Sequence, residues 1–381
     1  MPNSLPAIYP LGIVGSGQIA RMIHTAALQL GITPRLMAED SGDSAALAAP
    51  EASFRHPDAL SSFAELCEVV TFEHERVDLG MIEYMEEAGT IIRPGTKALR
   101  AAMDKAHQRR ILLNRGFNVP PFAELWGPDD VIDFAGMFGW PTVIKSVRSG
   151  GQADRGAWIV DNQSDALRVM AEQFERELII EAFQPIVKEL VVVVARRPGG
   201  NARCYPVAEA VNIEGVCKEI RSPAAIGSRV ATEAMETARK IADELDAQGV
   251  IAVEFFLTTA GLVVNEIAAR PHNAGHHTIE NAPTSQFENH VRAVLDLPLG
   301  PTHALNKASV TINVIGGIDP VNPADHLHEA LAVEGAHIHL YGKRPRPNRK
   351  LGHVTAVGDD MDQVRELARR AEAALMNRRV S

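Results

Sequence analysis

Val253-Glu254-Phe255-Phe256-Leu257-Thr258-Thr259-Ala260-Gly261-Leu262-Val263-Val264-Asn265-Glu266 reads as two apolar strands joined by a tight turn. Gly261 supplies the positive φ that such a turn demands. With Thr259, Ala260 and Gly261 as a three-residue loop, the register sets Glu254 directly opposite Glu266, and the two carboxylates share one face. Like charges across a ladder are destabilising, so two glutamates in that relation need a cation between them. Magnesium suits the position, because it takes hard oxygen ligands and commonly bridges one or two carboxylates to nucleotide phosphates; Asn265 is a further contact. The alternative is two solvated glutamates on an exposed hairpin. It fits poorly with Val253, Phe255, Val263 and Ile267, which need a core, and with Phe256 and Val264, which make the second face apolar as well.

A magnesium site serving ATP needs cations for the phosphates. Lys145 ends the apolar strand Thr142 to Lys145, just before the glycine-rich stretch Arg148 to Gly156, and a second strand follows from Ala157 to Val160; together they read as a hairpin with a mobile loop. Lys105, on a cation-rich helix that begins near Pro94, is a second phosphate candidate. Glu181 closes the strand Leu178 to Ile180, and Glu189 follows the turn at Pro185, where a hinge between lobes would set both to hydrogen-bond adenine and ribose. Arg270-Pro271-His272-Asn273-Ala274-Gly275-His276-His277 comes next. Arg270, His272 and Asn273 are expected to hold an anion beside the γ-phosphate, while His276 and His277 read as structural.

Upstream, Ala7 to Val14 reads as a buried strand, Gly15-Ser16-Gly17-Gln18-Ile19-Ala20 as a turn, and a helix runs on to about Leu30. Strands at Arg35 to Ala38, around Glu68 to Phe72 and at Thr90 to Arg93 alternate with helices, the pattern of a parallel, doubly wound sheet. Gly15-x-Gly17-x-x-Ala20, with Glu39 about twenty residues on, matches the dinucleotide fingerprint. Alone it predicts an NAD(P)-dependent oxidoreductase, yet the same turn accepts the phosphate or ribose of another ligand. A dehydrogenase leaves Glu254, Glu266, Lys145 and the Arg270 cluster without a purpose. Gly116 to Pro121 breaks the cationic helix before an α+β region. A Pro-Gly-rich break from Leu299 leads to strands near Val310 to Val314, His337 to Leu340 and His353 to Val357, then a charged helix.

A chain of 381 residues exceeds one ordinary core and predicts two or three domains. The formal charge of -10 argues against nucleic acid or a membrane surface as partner and for small substrates. Cys67, Cys204 and Cys217 are widely spaced and form neither a disulfide framework nor a zinc motif. No apolar run reaches membrane-spanning length, and Met1 to Pro10 lacks the features of a signal peptide, so a cytoplasmic location is expected.

These residues resemble the ATP-grasp superfamily and, within it, the 5-(carboxyamino)imidazole ribonucleotide synthetases. The resemblance spans almost the whole chain. It rests on Gly15 to Met22, Thr71-Phe72-Glu73-His74-Glu75, Lys188-Glu189-Leu190, Asn265 to His276, Thr284-Ser285-Gln286-Phe287-Glu288, His339-Leu340-Tyr341-Gly342-Lys343 and Arg349-Lys350-Leu351-Gly352-His353. It implies an α/β and α+β protein in three parts. These are a Rossmann-like pre-ATP-grasp domain over residues 1–104, an ATP-grasp domain over 105–298 with a lid near 120–182, and a small C-terminal domain over 299–381. By position, Lys105, Lys145, Glu181 and Glu189 would hold ATP, Glu254 and Glu266 Mg2+, and Arg270, His272 and Asn273 bicarbonate. Gly17, Gln18, Glu73, Arg155, Lys343, Arg349 and Lys350 would face an amine-bearing ribonucleotide, the cations suiting its 5′-phosphate. The implied enzyme is an ATP-dependent carbon–nitrogen ligase acting through carboxyphosphate, usually as a homodimer. Where the family carries Gly-Gly-Tyr-Asp-Gly in the lid, this chain reads Ser149-Gly150-Gly151-Gln152-Ala153-Asp154-Arg155-Gly156, which leaves carboxylation or ligation of a different amine as the alternative.

Overall fold

The computed structural model describes residues 10–38, 42–46, 57–148, 156–213 and 215–378. Packing divides the chain into two compact units, one of Met1–Leu99, Leu190–Ala252 and Ala268–Ser381, the other of Arg100–Glu189 and Val253–Ile267. These boundaries do not follow the consecutive divisions near 104 and 298, because the glutamate hairpin joins a unit whose remaining residues lie more than sixty positions upstream. Among the described residues no helix is long and apolar enough to cross a membrane.

In the first unit a parallel sheet runs in the order Arg35–Met37, Leu11–Val14, Val69–Phe72. All four residues of Leu11–Val14 are buried, as a central parallel strand requires. Helix Gln18–Gln29 turns Ile19, Ile23, Ala26 and Ala27 toward that sheet, and Phe287, Val291 and Val294 of helix Gln286–Val294 complete the core. The strand expected at Thr90 to Arg93 reduces to one bridge between Val70 and Ile92. Val70 N–H donates to Ile91 O and Arg93 N–H to Val70 O, both at 2.9 Å, and Pro94, with no N–H, cannot extend the ladder.

An antiparallel sheet in the same unit places Ala208–Ile213, Val216–Ser222, Ala308–Ile315, Lys350–Gly358 and Ala336–Leu340 side by side. Helix Met361–Leu375 covers it through Val364, Ala368, Ala371 and Leu375, spaced three and four apart, against Val310, Val314, Val354 and Ala356. Pairing of Ala336–Leu340 with Lys350–Gly358 sets His339 opposite His353.

The second unit holds a four-stranded antiparallel sheet in the order Phe122–Leu125, Leu178–Ala182, Thr142–Ser146, Ala157–Val160. Helices Pro128–Phe138 and Gln163–Glu172 cover one face, where Val131, Phe134 and Val169 meet Ile144, Val160, Leu178 and Ile180. Strand side chains alternate, so Lys145, Ile179 and Glu181 point to the other face. That face receives helix Lys105–Asn114, whose Ala106 packs on Ile179 and Val147. The hairpin forms where the sequence places it, with strands Gly249–Thr258 and Gly261–Ala268 adjacent and Gly261 at φ 127°, but the three-residue loop expected from the sequence is shortened because Gly261 already opens the second strand. Two residues, Thr259 and Ala260, separate the strands. The Thr258 hydroxyl closes the turn, accepting Ala260 N–H and donating to Gly261 O.

Candidate active site

The second unit brings together the acids and cations singled out above. Lys105 and Arg109 lie four residues apart on one helical face, and Arg109 is fully buried. Glu181, 2% exposed, accepts from Arg109 Nε at 2.7 Å through Oε1 and pairs with Lys145 Nζ at 2.7 Å through Oε2. The Lys145 ammonium also donates to Asn265 Oδ1 at 3.1 Å, which ties the lid-sheet strand to the hairpin. Lys105 Nζ donates to Glu266 Oε1 at 3.1 Å, and Asn265 Nδ2 reaches Glu254 Oε2 at 3.4 Å.

The electrostatics separate the two hairpin glutamates. Burial raises Glu254, and the nearby charges of Glu266 and Glu189 add to it, so the carboxyl sits at about 7. Burial also pushes Glu266 up, but the charge and hydrogen bond of Lys105, with help from Lys145 and Arg109, outweigh it and carry Glu266 below its ordinary value. Burial, with the charges of Glu266 and Glu189 beside it, disfavours the Glu254 carboxylate by more than Lys105 and Lys145 offset, and a divalent cation would favour the ionised form. The donor set, two carboxylates and an amide oxygen, is hard. Among the described residues no group of three or more His, Cys, Asp or Glu forms a closed metal cage. Two carboxylates with positions left for phosphate and water fit Mg2+.

The first unit holds a second constellation. Gly17 N–H donates to Glu73 Oε1 at 2.6 Å and Ala20 N–H to Oε2 at 3.1 Å, so the Glu73 carboxylate caps the N-terminus of helix Gln18–Gln29. A Cβ on Gly15 or Gly17 would come within 2.3 Å and 2.6 Å of the Glu73 side chain. The glycines of the fingerprint therefore admit a glutamate from the chain itself, which takes the place a dinucleotide pyrophosphate would need. Burial raises Glu73 even against those two amide hydrogen bonds. Lys343 Nζ donates to Gln18 Oε1, and Arg21 Nη1 donates to Leu340 O at 3.0 Å. Two residues beyond Glu73, Glu75 Oε2 accepts from Arg270 Nε at 2.9 Å. His272 Nδ1 accepts Ala274 N–H at 3.4 Å, which places the proton of the neutral ring on Nε2; buried Asn273 Oδ1 has no hydrogen-bond partner among the described residues.

Three family models match in order along the chain: a ribonucleotide synthetase preATP-grasp domain over residues 8–103, an ATP-grasp domain over 110–287, and a phosphoribosylaminoimidazole carboxylase C-terminal domain over 309–367. The N5-carboxyaminoimidazole ribonucleotide synthase of Mycobacterium bovis is 40% identical, with 96% of this chain and 87% of that protein aligned. This chain belongs to the N5-carboxyaminoimidazole ribonucleotide synthase family. The family's Corynebacterium ammoniagenes member is 34% identical over 98% of this chain and 93% of its own length. The crystal structure of the Aspergillus clavatus enzyme with ADP and 5-aminoimidazole ribonucleotide superposes with a TM-score of 0.89 at 30% identity, covering 97% of this chain and 99% of that one.

Most of the positions read from sequence fall into two clusters. Lys105, Lys145, Glu181, Glu254 and Glu266 form one connected network, and the charge of Glu189 reaches Glu254. Gly17, Gln18, Glu73 and Lys343 form a second cluster, while Arg349 is half-buried and donates to Arg344 O. Arg155 lies outside the described residues. Glu181 is expected at the adenine or ribose edge; its carboxylate is instead enclosed between Lys145 and Arg109. Arg109 was not singled out, although its spacing from Lys105 marks one helix face.

Four histidines of the first unit, His276, His277, His290 and His353, are buried. His290 accepts Val250 N–H through Nδ1 at 3.0 Å and so, as a neutral ring, donates from Nε2 to Thr71 Oγ1 at 2.9 Å, and His353 stacks between His276 and His339 with centroids 4.6 and 4.4 Å apart. Burial lowers His277 to about 4 and His290 to about 3, and it holds His276 and His353 well below the ordinary 6.5. The fold keeps them neutral while the unfolded chain protonates them below 6.5, so stability falls as pH drops from there toward each folded value. Each histidine adds a slope of up to about 1.4 kcal/mol per pH unit in that window. Denaturation midpoints measured from pH 7 to 4 are expected to fall steeply, and His290→Gln is expected to flatten the slope by about one proton.

Proposed function

We propose that this chain uses ATP and bicarbonate to carboxylate the amine of 5-aminoimidazole ribonucleotide, giving N5-carboxyaminoimidazole ribonucleotide, ADP and phosphate. The observation that carries the reading is the network of Glu254, Glu266, Asn265, Lys105 and Lys145, which sets two hard carboxylates beside ammonium groups that suit phosphate. Membership of a family whose Aspergillus clavatus structure holds ADP and 5-aminoimidazole ribonucleotide supports it.

Glu254 and Glu266 would hold Mg2+, which when bound neutralises phosphate charge and draws electrons from the transferring phosphorus. Lys105 and Lys145 bind and orient the phosphates. Arg270, His272 and Asn273 seat bicarbonate, Arg270 itself being steadied by Glu75. A bicarbonate oxygen attacks the γ-phosphorus, the bond to ADP breaks, and the resulting carboxyphosphate passes its carboxyl group to the amine with release of phosphate. Catalysis here is chiefly positioning and charge neutralisation. Gln18, Glu73, Lys343, Arg349 and Lys350 receive the ribonucleotide, with the cations on its phosphate. The proposal includes a cytoplasmic homodimer acting on small molecules, without nucleic acid or membrane; the charge of -10 supports the preference for small substrates.

The deciding measurement is bicarbonate-dependent ADP release, which 5-aminoimidazole ribonucleotide is expected to stimulate. Release that depends on bicarbonate but ignores this amine would assign the chain a different acceptor, in line with the Gln152-Ala153-Asp154 lid. Lys343→Ala is expected to raise the Michaelis constant for the ribonucleotide by roughly ten- to a hundredfold and leave that for ATP in place. An unchanged ribonucleotide constant would remove Lys343 from the phosphate site.

A further inference from the structure

The turn that carries His272 and Asn273 is held by one buried side chain outside it. Gln286 is fully buried and opens helix Gln286–Val294. Its Oε1 accepts His272 N–H at 2.9 Å, and its Nε2 donates to His272 O at 2.7 Å. One amide thus satisfies both polar groups of a single residue's backbone, as a β-ladder partner would. The glutamine is fixed in turn. Its own N–H donates to Thr278 Oγ1 at 2.9 Å, and that hydroxyl donates to Gly275 O at 2.6 Å. A Cβ on Gly275 would lie 2.4 to 2.8 Å from the Gln286 amide, so the glycine leaves the space this amide fills. The helix behind it is anchored through Phe287, Val291 and Val294 in the core of the parallel sheet.

We propose that Gln286 is a positioning residue for bicarbonate, setting the His272 ring and the Asn273 amide through the His272 peptide. The inference rests on the reading of Arg270, His272 and Asn273 as the bicarbonate seat. A primary amide offers a donor and an acceptor side by side at this spacing whatever the pH. A methionine of similar length offers neither. A glutamate keeps the acceptor and, once ionised, turns a second lone-pair oxygen toward the His272 carbonyl, where the two repel.

The test compares Gln286→Met, Gln286→Glu and His272→Ala with the natural chain in steady-state ADP release, titrating bicarbonate and ATP separately. Gln286→Met is expected to raise the Michaelis constant for bicarbonate about tenfold, the scale of a lost buried hydrogen-bond pair, with that for ATP unchanged. For Gln286→Glu, the ratio of its bicarbonate constant to that of the natural chain is expected to grow as pH rises from 6 to about 9, because the protonated carboxyl still donates and the carboxylate does not. A role confined to packing predicts a flat ratio. If Gln286→Met fails to fold, as thermal melting would report, the pH series on Gln286→Glu decides. A flat ratio near one, beside a raised constant in His272→Ala, overturns the positioning role alone. A bicarbonate constant unmoved in His272→Ala overturns the seat, and the proposal with it.

Discussion

Glu266→Ala is expected to lower ATP turnover by on the order of a thousandfold or more, the scale seen when a group that stabilises developing charge is removed. It is also expected to leave the fold in place. The Glu266 side chain is 39% exposed, so its loss opens no core cavity. Two electrostatic effects then oppose each other. Lys105, whose side chain is 11% exposed, loses its ion pair with Glu266, which costs stability. Glu254 loses the like charge that helps to raise it, which returns stability. Their sum is expected to stay within about 2 kcal/mol. Steady-state ADP release and thermal melting, each with and without Mg2+, check the two halves. Near-normal turnover would remove Glu266 from the metal site, and a collapse of the melting temperature would recast it as a structural acid.

The hairpin carrying that glutamate was legible because its apolar runs are continuous and its turn has a glycine at the one place that needs positive φ. The strands Leu11–Val14 and Thr142–Ser146 were legible for the same reason: each is apolar enough to be read without knowing its neighbours. Ala208–Ile213 and Val216–Ser222 escaped notice. Their polar residues break the pattern, and Glu219 is tolerated only because Arg221, at 2.5 Å, and Arg365, at 2.8 Å, neutralise it from elsewhere in sequence or space. The glycine turn shows the limit of a motif. Gly15 and Gly17 do mark the close approach of an anion to a helix N-terminus, but the anion is Glu73, fifty-six positions beyond Gly17. Spacing along the chain cannot reveal which group arrives. Gln286 sat inside a quoted motif with no role attached, since a clamp on another residue's backbone leaves no mark on that residue's identity.

Glu181 carries the largest expected effect on stability. Its carboxylate lies between two buried cations, Lys145 and Arg109, and all three are at most 10% exposed in their side chains. Burial opposes the charge on Glu181, yet Lys145 and Arg109 together overcome it and hold its pKa below the ordinary value. Removing the carboxylate leaves two cations facing each other in a desolvated space. Glu181→Ala is therefore expected to cost about 3–5 kcal/mol, measured as a shift in the denaturant midpoint at unchanged slope. Glu181→Gln fills the same volume, so it separates loss of charge from loss of packing and is expected to retain most of that penalty. A second consequence reaches function. Burial already lowers Lys145, and the charge of Glu181 is the main influence holding it up. Without that charge the ammonium gives up its proton at lower pH, and a neutral amine no longer attracts phosphate. In Glu181→Gln the Michaelis constant for ATP is expected to climb with rising pH at values where the natural chain shows no change. A midpoint and an ATP constant both unaltered would mean that Arg109 and Lys145 find their counter-charge elsewhere, and that the acid read from sequence as a nucleotide contact neither binds the nucleotide nor supports the residues that do.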